Sequence, residues 1–137
     1  MFKVLFICVH NAGRSQMAEA IFNRLAAGRY TATSAGSQPS ERVNMTVAEA
    51  MQEIGYDISK NVPKKLTDAM GMEADLAVTM GCGDLCPVVA ADMRDWALDD
   101  PAGKSPLEVR KIRDEIFRLV KGLVAELDGY GGKLPKA

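Results

Sequence analysis

Apolar residues along this chain alternate between two spacings. Phe2-Lys3-Val4-Leu5-Phe6-Ile7 is a β-branched and aromatic run with the length of a buried strand, whereas the stretch from Gln16 to Ala27 has the alanine, leucine and glutamate content of a helix. The same reading predicts a strand over 2–7, a helix over 14–28, a strand over 30–35, a helix over 43–54, a short helix over 66–73, a strand over 75–80, a loop, a short strand over 94–97 and a helix over 106–127. The last helix carries Leu107, Ile112, Ile116, Leu119, Val120, Leu123 and Leu127 with Lys, Arg and Glu between them, so one face is expected to pack on a sheet. Ser105-Pro106 supplies a cap followed by proline at the first helical position, and Gly55 stops the second long helix. Strands separated by helices imply an α/β fold, a three-layer sandwich around a four-stranded parallel sheet with right-handed crossovers. Residues 128–137 hold three glycines and a proline without any period and are expected to form a loosely attached end.

With 137 residues and 47% hydrophobic positions, the whole of 1–137 is expected to form a single domain around its own core. The net charge of −1 gives no electrostatic footprint for nucleic acid and no polybasic patch for a membrane. No run approaches the roughly 18 apolar residues of a membrane span, and the start lacks a signal-peptide pattern, so a cytoplasmic protein is expected. Three cysteines in a reducing compartment call for chemistry or burial and not for a permanent bridge.

The candidate chemistry begins at Cys8-Val9-His10-Asn11-Ala12-Gly13-Arg14-Ser15, which lies where the first strand ends and the first helix begins. Backbone N–H groups of Val9, His10, Asn11, Ala12, Gly13, Arg14 and Ser15 would converge there. The helix N-terminus favours a bound tetrahedral anion and pushes a nearby thiol toward thiolate. Arg14 offers a planar fork of donors for an oxyanion, and the Ser15 hydroxyl can bond the thiolate or the anion. Asn11 and Gly13 are the residues a tight loop uses where φ is positive. In a parallel sheet ligands bind beyond the carboxyl ends of the strands, so the loops 8–14, 81–92 and 98–104 should meet there.

The third of these loops brings Asp99-Asp100-Pro101, either a general acid for a departing oxygen or an ordinary turn. The second brings Gly81-Cys82-Gly83-Asp84-Leu85-Cys86-Pro87, in which Gly81 and Gly83 would give two thiols the mobility that disulfide exchange with Cys8 requires. A zinc site and two inert buried cysteines are the competing readings. His10, the only histidine, reads as an ordinary loop position rather than a base, and Trp96 as a core residue close enough to the Asp100 loop to report anion binding.

The run from Cys8 to Ser15 continues into Gln16-Met17-Ala18-Glu19. Together with Ser34-Ala35-Gly36, Val78-Thr79-Met80-Gly81-Cys82 and Trp96 with Asp99-Asp100-Pro101-Ala102-Gly103, it resembles the thioredoxin-coupled arsenate reductases, which are built on the low-molecular-weight protein tyrosine phosphatase fold. The resemblance covers roughly residues 2–127. It implies that Cys8 attacks arsenate held in the 8–15 loop while Arg14 holds the oxygens and Asp100 protonates the departing hydroxyl. Cys82 then attacks Cys8, arsenite leaves, and Cys86 attacks Cys82 to give a disulfide that thioredoxin reduces. Phosphate and sulfate would compete as anions. The resemblance implies no cofactor and no metal, and the chain is expected to act as a monomer.

Two departures stand out. Only Gly83-Asp84-Leu85 separates Cys82 from Cys86, a closer spacing than in well-known members. Some members also bind potassium through groups matching Asn11, Glu19 and Ser34 plus an acid, and Lys64 stands at the acid's position here, so no potassium requirement is expected. Two other functions remain open at this level: a phosphatase for phosphate monoesters with the later cysteines as redox guards, and a non-enzymatic anion- or redox-sensing domain. Glutaredoxin or a small thiol could replace thioredoxin as reductant.

Overall fold

The computed structural model describes residues 1–81 and 92–135. Four strands, β1 (Lys3–Cys8), β2 (Thr31–Gly36), β3 (Leu76–Thr79) and β4 (Met93–Asp95), form one parallel sheet in the order β2-β1-β3-β4. β1 is central and covered on both faces. Val4, Phe6 and Cys8 point into the larger core, and Leu5 and Ile7 into a smaller one with Ala35 and Ala77. The expected α/β sandwich is the observed fold.

Helices α1 (Arg14–Ala26), α2 (Met45–Glu53) and α4 (Pro106–Gly129) build the layer over the larger core; the short α3 (Asp68–Glu73) lies on the other face, where Met70 packs on the smaller core. The chain leaves β1 through α1 to β2 on one side and returns to β3 on the other. This places the topological switch at the carboxyl end of β1, directly beyond Cys8. Phe6 links the layers, its ring 6.0 Å from Phe22 of α1 and 5.7 Å from Trp96, which confirms Trp96 as a packing residue.

Several element ends were legible. Ser105 Oγ accepts from the Glu108 N–H at 3.2 Å in a capping box with Pro106 next, and Gly55, at φ +86°, closes α2. Others moved. The last strand ends at Asp95 instead of 97, because its partner β3 ends at Thr79, whose carbonyl accepts from the Trp96 N–H at 2.8 Å as the last bond between the two.

In α4 the buried face is Val109, Ile112, Ile116, Val120, Leu123, Val124 and Leu127, while Leu107 is exposed. Leu107 stands five residues before Ile112, outside the three-and-four period that Val109 satisfies. The end is also less loose than expected. α4 runs to Gly129, Asp128 accepts from Arg29 and from the Tyr30 hydroxyl at 2.6 Å, and Leu134 packs against the core.

Candidate active site

Cys8 ends β1 with 2% of its surface exposed, and Arg14 opens α1 five residues after the loop begins. The carbonyls of the intervening loop face away from its centre. Val9 O accepts from Gln38 N at 2.8 Å, His10 O from Ser40 N at 3.0 Å and Ala12 O from Asn44 N at 2.9 Å. With its carbonyls held by residues 38–44, the loop presents N–H groups on its other side, and Gly13 caps α1 without any side-chain bond to the first turn. The result is a donor-rich cradle over a thiol, suited to a tetrahedral anion.

Asn11 takes the positive φ expected of it, 50°. Gly13 does not: its φ is −143°, and glycine is needed there because a Cβ would lie 2.7 Å from Pro101 Cγ. Close approach, not a left-handed turn, is the requirement. Gly81 has φ +82°, and a Cβ there would meet Leu98 O at 2.5 Å and Arg14 Nη1 at 3.3 Å. It serves tight apposition of two loops, where mobility was the expectation.

Arg14 is the link between those loops. Its Nη1 donates to Met80 O at 2.6 Å and to Leu98 O at 3.2 Å, and its Nη2 stands 3.8 Å from Asp100 Oδ2. The chain segments around 8–14, 80–81 and 98–101 therefore meet at one guanidinium, as the sheet topology predicts. Asp100 is half-exposed and its Oδ1 accepts from the Ala102 N–H at 3.0 Å, so the turn reading and the placement at the site both hold. A cavity of about 290 Å³ opens over Cys8, lined by His10, Arg14, Arg42, Met45, Asp100 and Pro101 among others. A larger hollow of about 760 Å³ at the far ends of the strands brings no nucleophile among its described lining residues, and its Arg29 and Arg94 are already paired with Asp128 and Glu126.

Beneath the cradle, Cys8 Sγ lies 2.8 Å from Ser15 Oγ. Asn11 Nδ2 donates to Ser15 Oγ at 2.7 Å and to Ser34 Oγ at 3.0 Å, and Ser34 Oγ donates to Glu19 Oε1 at 2.7 Å. Lys64 Nζ is 3.8 Å from Glu19 Oε2. His10 sits at the mouth with Nδ1 3.0 Å from Gln38 O; a carbonyl only accepts, so Nδ1 carries the proton.

Cys8, Arg14, Ser15 and Asp100 thus come together with the 9–13 loop, while Cys82 and Cys86 lie outside the described residues. The bracing segment 38–44 was not foreseen as part of the site. Its one sequence signal was Asn44, whose Oδ1 accepts from Thr46 N and Val47 N as the cap of α2.

The family model of the low molecular weight phosphotyrosine protein phosphatases matches residues 3–131. The chain is 35% identical over 131 residues to the glutaredoxin arsenate reductase of Synechocystis sp., covering 93% of this chain and 99% of that protein. A solved arsenate reductase in its phosphate-binding state superposes with a TM-score of 0.82 at 36% identity, over 91% of this chain and 98% of the other. The thioredoxin-dependent arsenate reductase of Corynebacterium glutamicum gives a TM-score of 0.81 at 37% identity, over 95% of this chain and 63% of the other. A family match over 3–131, a shared fold and this level of identity leave one conclusion: the chain belongs to the low molecular weight phosphotyrosine protein phosphatase family, on its arsenate reductase branch.

Proposed function

We propose that the protein reduces arsenate to arsenite through a three-thiol relay. The observation that carries this reading is the donor-rich 8–15 loop over a buried thiol, in a chain whose relatives are arsenate reductases. Arsenate seats in the loop, Cys8 Sγ attacks arsenic, and one oxygen leaves as water with a proton from Asp100. Cys82 then attacks Cys8 Sγ. The As–S bond breaks, its electron pair stays on arsenic, arsenite leaves, and a Cys8–Cys82 disulfide remains. Attack of Cys86 on Cys82 frees Cys8 as thiolate and leaves a Cys82–Cys86 disulfide, which the dithiol of thioredoxin reduces.

Inorganic anions fit the mouth better than aryl phosphates do. No Phe, Tyr or Trp stands among the described lining residues to sandwich a ring, and Pro101 and Ala102 follow Asp100. A resident potassium ion does not fit beside the loop: Lys64 Nζ stands against Glu19, Ser34 donates into Glu19, and Asn11 Oδ1 accepts from Gln16 Nε2 and from Lys64 N. Added potassium should leave activity and melting temperature unchanged. No described helix is long and apolar enough to cross a membrane. We place this chemistry in the cytoplasm, in a monomeric single domain.

Mass spectrometry after one equivalent of arsenate tests the relay. A Cys82–Cys86 bridge should accumulate in the wild type and a Cys8–Cys82 bridge in Cys86→Ser. Absence of arsenate turnover with thioredoxin and its reductase, alongside fast phosphotyrosine hydrolysis, would establish the phosphatase instead.

A further inference from the structure

Seven of the eight arginines in the chain are held by a carboxylate or a backbone carbonyl. Arg42 is the exception. Among the described residues it has no hydrogen-bond or ion-pair partner, and it stands exposed on the lining of the cavity over Cys8. Its place there is fixed by the backbone. The Ser40 N–H donates to His10 O at 3.0 Å and the Asn44 N–H to Ala12 O at 2.9 Å, so the turn that carries Arg42 is clamped to the 8–14 loop on both sides. The adjacent Val43 is buried in the larger core and anchors the same turn. Glu41, next to Arg42 in sequence, is not among the described residues lining the cavity.

A tetrahedral anion in the cradle leaves one oxygen for such a group. The N–H groups of the loop and Arg14 surround the three oxygens nearest Cys8, while in-line attack by Cys8 Sγ puts the fourth oxygen opposite the sulfur, facing the mouth. Arg14 does not serve that oxygen: it is only 5% exposed, and its Nη1 is committed to Met80 O and Leu98 O. At the mouth Asp100 comes from the 98–101 segment and Arg42 from the 38–44 segment. Asp100 supplies a proton to the departing oxygen, and Arg42 is the unengaged cation beside it.

We propose that Arg42 is a specificity-determining residue whose guanidinium donates to this outward oxygen, so that the site selects inorganic tetrahedral oxyanions over their monoesters. In arsenate or phosphate the outward oxygen is terminal, with lone pairs free for a charge-assisted hydrogen bond. In a monoester the same oxygen bridges to carbon, accepts weakly and brings its substituent against the guanidinium. Arg42 thus rewards the free anion where an aromatic lining would reward an aryl ester. This role rests on the cradle being the anion site proposed above and not on arsenate being the substrate.

Isothermal titration calorimetry with inorganic phosphate and with methylphosphonate separates this contact from general attraction of anions by a positive charge. Methylphosphonate brings three oxygens to the cradle and a methyl group where the outward oxygen would be, and the comparison is made at a pH where both are dianions. Arg42→Ala, at an exposed position and with its fold verified by circular dichroism, should weaken phosphate binding by about five- to tenfold, the loss of one charge-assisted hydrogen bond at the surface. Methylphosphonate should lose less than about twofold, because it has nothing for Arg42 to bond. The wild type should therefore favour phosphate over methylphosphonate, and the variant should lose most of that preference. An equal loss for both anions would mean attraction without contact and overturns the proposal; so does unchanged phosphate affinity in Arg42→Ala, or absence of phosphate binding by the wild type. Failure of the arsenate reading would instead appear as this selectivity in a wild type that shows no arsenate turnover with thioredoxin.

Discussion

At the scale of the residue, Arg14 holds the most consequential position. Its side chain is only 5% exposed, and Nη1 alone bonds two carbonyls, at Met80 and Leu98. A planar fork can do this and still direct its other nitrogens toward the cradle; a lysine ammonium on a flexible stem cannot fix both directions. Arg14→Lys should therefore keep the charge and lose the geometry. The expected fall in kcat/KM for arsenate is on the order of a hundredfold, the usual effect of losing one well-placed oxyanion donor. Steady-state kinetics with thioredoxin would check this, and values within twofold of wild type would show that charge alone suffices. The motif itself was legible because Cys8, Asn11, Arg14 and Ser15 lie within eight consecutive positions. The partners of Arg14 were not, because they are backbone carbonyls 66 and 84 residues further along the chain. Gly13 shows the same limit: the residue type was right, but its cause is the approach of Pro101.

At the scale of the element, α4 carries the layer that holds α1, and with it the cradle, against the sheet. Ile116 is fully buried in the larger core, so Ile116→Ala should cost about 2–5 kcal/mol, read by denaturant unfolding. A loss below about 1 kcal/mol would show that the core collapses onto the gap. The exposed side of α4 predicts an acid response. Hydrogen bonds from Ser105, Arg118, Arg94 and Tyr30 hold Glu108, Glu115, Glu126 and Asp128 below their ordinary values of 4.5 and 3.8, and Arg110 does the same for Glu53 of α2. Carboxyls depressed on folding stabilise above those values, and the contribution is lost as pH falls through them and below. Melting temperature should thus be level above about pH 5 and decline progressively below it, each exposed pair adding little on its own. A melting temperature that rises between pH 5 and 3 would contradict the assignment. The helix was legible in its period and its Ser105 cap. Its far end was not, because Asp128 is fixed by Arg29 and Tyr30 across the fold, against a glycine-rich local sequence.

At the scale of the whole molecule, the parallel order β2-β1-β3-β4 makes one place where loops distant in sequence must meet, and β1 delivers Cys8 to it. Alternation of apolar spacings was enough to foresee that convergence, since the switch point follows from connectivity and not from side-chain detail. The disposition of Cys82 and Cys86 falls outside the described residues, so the relay stands as a proposal built on the cradle. The convergence has a thermodynamic consequence. An anion in the cradle binds only when the segments at 8–14, 80–81 and 98–101 are assembled, and Arg14 joins all three. Binding to the folded state alone adds RT ln(1 + [L]/Kd), about 2.7 kcal/mol at a hundred times Kd. For a chain of this size that corresponds to a rise of roughly 10 °C in melting temperature. Inorganic phosphate is the probe, with Kd taken from the fluorescence of Trp96, whose ring packs on Phe6 of β1 four residues before Asp100. Arg14→Ala should abolish both the fluorescence change and the rise. If phosphate at a hundred times Kd leaves the wild-type melting temperature unchanged, the cradle is not assembled by folding, and the three loops act independently of the anion they surround.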